Sequence, residues 1–89
     1  MSKLIAQFQK FHSANPQVFS YYVKFADQAL QAGRKNFSIS LITERVRWYV
    51  NIETTGDDFK INNNHRAYYA RMLDEIPRFK GLFRMRLTK

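Results

Sequence analysis

A long amphipathic segment over residues 16–32 dominates the folding pattern of this sequence. Its apolar residues fill two adjoining helical stripes, Val18, Tyr22, Phe25 and Ala29 in the first and Phe19, Val23, Ala26 and Leu30 in the second. An apolar face this broad is typical of a helix that lies at the centre of a core. Asn15 is a typical N-cap, Pro16 suits the first helical position, and Gly33 suits the turn after a helix. We therefore predict a central helix within residues 15–33.

Helical spacing predicts three more helices, over residues 3–12, 40–53 and 65–76. Their apolar faces contain Leu4, Ile5, Phe8 and Phe11 in the first, Ile42, Val46, Tyr49 and Val50 in the next, and Tyr68, Tyr69, Met72, Leu73 and Ile76 in the last. Ser40 is the predicted cap of the helix over residues 40–53, and Pro77 ends the last helix. We expect the core to form around Phe19, Phe25, Val46, Leu73 and Phe83.

Three short segments alternate between apolar and polar residues, which favours β-strands. They are residues 37–39, residues 59–61 and residues 82–87. The fold class that follows is mainly helical with a short β ribbon. The order of elements resembles a winged helix-turn-helix, with residues 65–76 as the recognition helix and residues 82–87 as the wing. Another small helical domain is the alternative.

The composition fits one small domain over residues 1–89, with an N-terminal helix in residues 1–14 and the winged-helix-like core in residues 15–89. The chain has 89 residues, of which 45% are hydrophobic and 16% aromatic, and such a content supports a dense core. The absence of cysteine excludes disulfides and thiolate metal sites. Neither a signal peptide nor a membrane span is recognisable, so we expect a protein of the cytoplasm that does not bind membranes.

Positive charge is concentrated in the later part of the sequence. Of the formal net charge of +8, residues 1–33 contribute +2 and residues 34–89 contribute +6. Five basic residues and no acid lie between Arg78 and Lys89. This asymmetry indicates a polyanionic partner, and nucleic acid is the first candidate.

Several short motifs resemble a family of small proteins, without established activity, that occur in phages and prophages. The motifs, in order, are Asn15-Pro16 with Val18-Phe19, Arg47-Trp48, Phe59-Lys60-Ile61-Asn62-Asn63, Tyr68-Tyr69-Ala70-Arg71, Pro77, Phe83 and Arg86. The resemblance implies a phage protein that works in the host cytosol. It implies no site residue.

Two clusters on the predicted helices are candidates for nucleic-acid contact. Arg45 and Arg47 form a cluster with Trp48, which either stacks on a base or lies in the core, and we expect the core. At the start of the last helix lie Asn63, Asn64, His65 and Arg66. A helix N-terminus suits a phosphate, and Asn and Arg side chains can read base edges, although capping explains part of this run.

The tyrosines of the Tyr68-Tyr69-Ala70-Arg71 motif have a structural interpretation, since helical spacing predicts that at least one of them is buried. The remaining candidate contacts are basic residues outside the helices, namely Arg34, Lys35, Lys80, Arg84 and Arg86. Arg84 and Arg86 share one face of the predicted last strand, where they would contact phosphates or protect a strand edge.

No catalytic motif, cofactor motif or metal-ligand spacing is present, so we expect a binding protein rather than an enzyme. The leading hypothesis is a phage-type DNA-binding protein that prefers duplex DNA, with regulation as one candidate role. The second is a protein-binding module, an inhibitor or adaptor of a host protein, because aromatic residues exceed what a small core hides. A third is a binder of single-stranded nucleic acid. The oligomeric state is open.

Overall fold

Four helices form the fold in the computed structural model, which describes residues 3–33, 37–54, 61 and 63–83. They are α1 (Lys3–Ala14), α2 (Gln17–Gln31), α3 (Ile39–Trp48) and α4 (Arg66–Asp74). A π-helical turn, Tyr49–Glu53, continues α3, and 3-10 turns at Asn63–His65 and Pro77–Phe79 flank α4. The four predicted helices are thus confirmed, with small shifts at their ends.

The predicted β ribbon is wrong for the described residues, and with it the winged-helix fold. Ile39 begins α3, and Phe37 makes only an isolated bridge to Phe83. Ile61 belongs to no strand, and Leu82 lies in a turn, where its N–H donates to the Phe79 carbonyl at 2.9 Å. The other residues of segments 59–61 and 82–87 lie outside the described part. The alternative of another small helical domain fits the structure.

Local capping explains several differences from the predicted helix ends. Ser38, not Ser40, caps α3, since its Oγ accepts a hydrogen bond from the Ser40 N–H at 3.1 Å. Asn15 makes no side-chain cap for α2, because its Nδ2 donates to the Phe11 carbonyl of α1 at 3.1 Å. Gly33 has the predicted left-handed conformation, with φ +79°. Pro77 holds Ile76 in an extended conformation, which ends α4 before it.

The core lies between α2, α3 and α4, each of which contacts the other two, while α1 packs on the 3-10 turn before α4. Phe25, Val46, Leu73 and Phe83 are buried as predicted, and the half-buried Phe19 packs against them. A buried polar chain joins α2 to α3. Thr43 donates to the Ile39 carbonyl at 2.8 Å, so its single proton is used and Tyr22 donates to Thr43 Oγ1 at 2.7 Å. Burial raises the pKa of Tyr22 to about 12, so the phenol stays neutral.

Candidate nucleic-acid interface

Arg45 and Arg47 both have partners within the fold. Arg45 donates to Glu53 at 3.0 Å, and its guanidinium lies 4.3 Å from the centre of the Phe25 ring. Arg47 pairs with Glu44 and also donates to the Ile61 carbonyl at 2.6 Å. Arg47 therefore ties α3 to the segment that precedes α4. These contacts give both residues a structural role.

Trp48 is not part of the core, and that prediction is wrong. Its side chain is 58% exposed. The reason lies in the helical register, because Ile42, Val46 and Val50 are buried and Trp48 follows Val46 by about 200° around the helix. The spacing of the apolar residues in the sequence could therefore have predicted that Trp48 is exposed. The general preference of tryptophan for burial predicted the opposite. Leu41 and Ile52 are exposed on the same side.

At the start of α4, the side chain of His65 is covered by α1. His65 is only 5% exposed, and its ring lies 5.6 Å from Phe8 and 5.1 Å from Phe11. Arg66, a candidate for base readout, donates to Ser40 Oγ at 3.0 Å. Asn64 is exposed, and Asn63 lies in the 3-10 turn. In this predicted site, His65 therefore forms a packing contact between α1 and the start of α4.

Three buried polar atoms near this contact have no hydrogen-bond partner in the described part of the chain: His12 Nδ1, His65 Nδ1 and the Tyr69 hydroxyl. The rings of His12 and Tyr69 are 6.1 Å apart, and Tyr69 stacks on Tyr22 at 4.5 Å. Burial lowers the pKa of His65 and raises that of Tyr69. The expectation that one tyrosine of the Tyr68-Tyr69 pair is buried is confirmed for Tyr69.

The bridge between Phe37 and Phe83 joins two basic parts of the sequence. The Phe37 N–H donates to the Leu82 carbonyl at 2.7 Å, and the bridge is parallel. Lys80 is exposed, two residues before Leu82. The other basic candidates of this region, Arg34, Lys35, Arg84 and Arg86, lie outside the described residues. In the sequence, Lys35 precedes Phe37 by two positions and Arg84 directly follows Phe83.

Two carboxylates, Asp27 and Asp74, accept hydrogen bonds from the chain between α4 and the bridge. Asp74 Oδ1 accepts the Gly81 N–H at 3.0 Å, which fixes the turn where Gly81 has φ +81°. Asp27 accepts two hydrogen bonds from Arg78, at 2.8 and 3.0 Å, and Arg78 also lies over the Phe79 ring. These bonds lower the pKa of Asp27. Arg78 therefore fastens the chain after α4 to α2.

Among the described residues, no group of three His, Cys, Asp or Glu side chains is arranged to hold a metal ion. The helices in that part of the chain are too short or too polar to cross a membrane. Comparisons of the chain with protein-family models, with curated proteins and with solved structures found no match. The resemblance to small phage proteins therefore stays a prediction.

Proposed function

We propose that this chain is a DNA-binding protein that holds backbone phosphates of a duplex through basic residues around the Phe37–Phe83 bridge. The observation that carries the proposal is the bridge itself, because it joins two chain segments that are rich in cations. One contains Arg34 and Lys35, and the other contains Lys80, Arg84 and Arg86. Basic residues in two chain segments that are joined by a bridge suit a phosphate backbone, which presents charge at regular intervals.

The internal contacts of the other candidates favour phosphate binding over base readout. Arg66 is hydrogen-bonded to Ser40, and His65 is covered by α1. Arg45 and Arg47 are paired with Glu53 and Glu44. Side chains that read bases must reach into a groove, and these would first have to leave their partners. We therefore expect weak or no preference for DNA sequence.

A titration of a fluorescent 20-base-pair duplex at several salt concentrations tests the proposal. If about four to six phosphates are neutralised, the slope of log affinity against log salt is about −4 to −5. A duplex of different sequence should bind with similar affinity. The single strand of the same length should bind less tightly, because its charge is less dense. Tighter binding of the single strand would favour the single-stranded alternative instead.

Charge removal at the bridge gives the sharper test. The triple variant Lys80→Ala, Arg84→Ala and Arg86→Ala should flatten the salt slope by about one unit for each phosphate that the variant no longer neutralises. Lys10→Ala is the matched control for the single change Lys80→Ala, since each removes one exposed positive charge and Lys10 lies on α1. Equal reductions in affinity for these two single variants would show only a general charge effect. No binding of any oligonucleotide at about 50 mM salt would exclude this function.

A second candidate function, protein binding, is favoured by one observation. Leu41, Trp48 and Ile52 are all more than half exposed on one side of α3 and its π-helical turn. Large apolar groups on one surface are typical of protein interfaces.

A further inference from the structure

Leu41, Arg45, Trp48 and Ile52 form a row along the exposed side of α3 and its π-helical turn, which we name the α3 stripe. Leu41 is 56% exposed, Trp48 58% and Ile52 62%. Their spacing is four, three and four residues, as along the seam between two paired helices. The buried side of the same helix already packs in the core, so the stripe is a separate surface.

The charges around the stripe cancel. Residues 39–53 contain two acids and two bases, and these form the pairs Arg45–Glu53 and Arg47–Glu44. The chain as a whole carries +8. A polyanion is therefore attracted mainly to other surfaces, and two copies of this chain repel each other least where α3 meets α3. The electrostatics thus favour a second copy as the occupant of the stripe.

The order of residues in the stripe is complementary to itself when two copies run antiparallel. Leu41 then faces Ile52 of the second copy, and Arg45 faces Trp48 of the second copy. One face of the Arg45 guanidinium already lies on Phe25, 4.3 Å from the ring centre. The opposite face can stack on an indole, which is the best aromatic partner for a cation. A parallel arrangement would instead place Arg45 of one copy against Arg45 of the other.

We propose that two copies of this protein associate through antiparallel α3 stripes, related by a twofold axis. A row of three apolar side chains with one arginine covers less than the roughly 1,200 Å² of a standard stable interface. The dimer is therefore weak and concentration-dependent. The proposal does not rest on DNA binding, and the two respond to salt in opposite directions. Salt screens the repulsion between the copies and strengthens the dimer, whereas it weakens phosphate contacts.

Sedimentation equilibrium of the whole chain, at concentrations up to about 1 mM, tests the proposal. The weight-average mass should rise with concentration, and more steeply at about 300 mM than at about 50 mM salt. Leu41→Glu should raise the dissociation constant at least about tenfold, because it brings a charge into the seam. Leu30→Glu is the matched control, since Leu30 is 37% exposed on α2 and outside the stripe. A monomer at every concentration, or equal effects of both variants, would overturn the proposal.

A mixing experiment tests the antiparallel register. Leu41→Glu alone and Ile52→Lys alone should both be monomeric. An equimolar mixture should restore the dimer, because the antiparallel register places the new carboxylate opposite the new amine and leaves the other Leu41–Ile52 contact intact. A parallel register offers no such pairing. A mixture that stays monomeric, with both variants folded by circular dichroism, would contradict the antiparallel register. If Trp48→Ala weakened oligonucleotide binding in a chain that never dimerises, the stripe would be a nucleic-acid contact instead.

Discussion

His65 is a titratable side chain enclosed by aromatic rings where α1 meets α4. Phe8 and Phe11 lie against it, Tyr68 and Tyr69 follow on α4, and His12 lies on α1 beside Phe8. Burial lowers its pKa from the usual 6.5, and its Nδ1 has no hydrogen-bond partner among the described residues. The neutral imidazole therefore fits this site, and the charged form does not.

We expect His65→Phe to reduce the loss of stability in mild acid. Because the folded-state pKa of His65 is lowered, the unfolded chain binds more protons below about pH 6.5, and the free energy of unfolding falls as the pH drops through that range. Phenylalanine has no titratable group, so the substitution removes the contribution of this protonation, and its ring packs with the surrounding rings. Urea unfolding of both proteins at about pH 7.5 and 5 measures the difference. An equal fall in stability in both proteins would show that His65 does not cause it.

At the scale of the elements, α1 is attached to the rest of the fold by a narrow contact. Phe8 is its buried residue, and the Phe8 ring lies 4.9 Å from both Tyr68 and Tyr69. The neighbouring Leu4 and Ile5 are exposed. α2, α3 and α4, by contrast, all contact one another. The helix α1 thus depends on one aromatic cluster, whereas the other three support each other.

Phe8→Ala should therefore release α1 while α2, α3 and α4 stay folded. Removal of a buried ring costs about 3–5 kcal/mol, and a helix of this length is marginal without packing. Hydrogen exchange of the α1 amides should become fast, while exchange in α2 stays slow. Ile5→Ala, a change at an exposed position of the same helix, should alter neither. Equal acceleration in α1 and α2 would mean that the two unfold together.

For the whole molecule, one core joins all four helices. The buried cluster includes Phe8 from α1, Phe25 from α2, Val46 from α3 and Leu73 from α4, together with Phe83 after the last turn. Phe25 is only 2% exposed and lies under Arg45. A defect at this centre affects the contacts of α2 with its neighbours and so the entire fold.

Phe25→Ala should lower the global free energy of unfolding by about 3–5 kcal/mol. Chemical denaturation followed by the Trp48 fluorescence and by circular dichroism should give one shared transition at a lower denaturant concentration. Leu30→Ala, on the partly exposed end of α2, should shift the midpoint much less. A loss below about 1 kcal/mol for Phe25→Ala would show that this ring does not support the core.

The sequence predicted the helices well because helical periodicity is local, although the predicted N-caps Asn15 and Ser40 were both wrong. The apolar stripes located α2 and α4, and Gly33 marked the end of α2. Within the described residues, the predicted strand over residues 37–39 is absent, because an alternation of only three residues carries little information and Ile39 already begins α3. Among the described residues, Phe37 and Phe83 meet in an isolated bridge, and Ser38 already caps the next helix.

The candidate site depended on contacts between distant segments, which local patterns do not contain. Arg66 reaches Ser40, 26 positions earlier, and Arg47 reaches the carbonyl of Ile61. These bonds give Arg66 and Arg47 partners within the fold that the local sequence does not show. The sequence placed His65 at a helix start, where a ligand could bind, but α1 packs over its side chain.

The sequence by itself determined the helices, the basic character of the later segments and the absence of thiol chemistry, since each follows from residue types and their spacing. Only the tertiary structure decided which cations are engaged internally, that α1 covers His65, and that Phe37 and Phe83 meet. The physical reason is that packing and pairing depend on which surfaces cover each other. Which surfaces cover each other is determined when the whole chain packs around its core, and no single segment determines it.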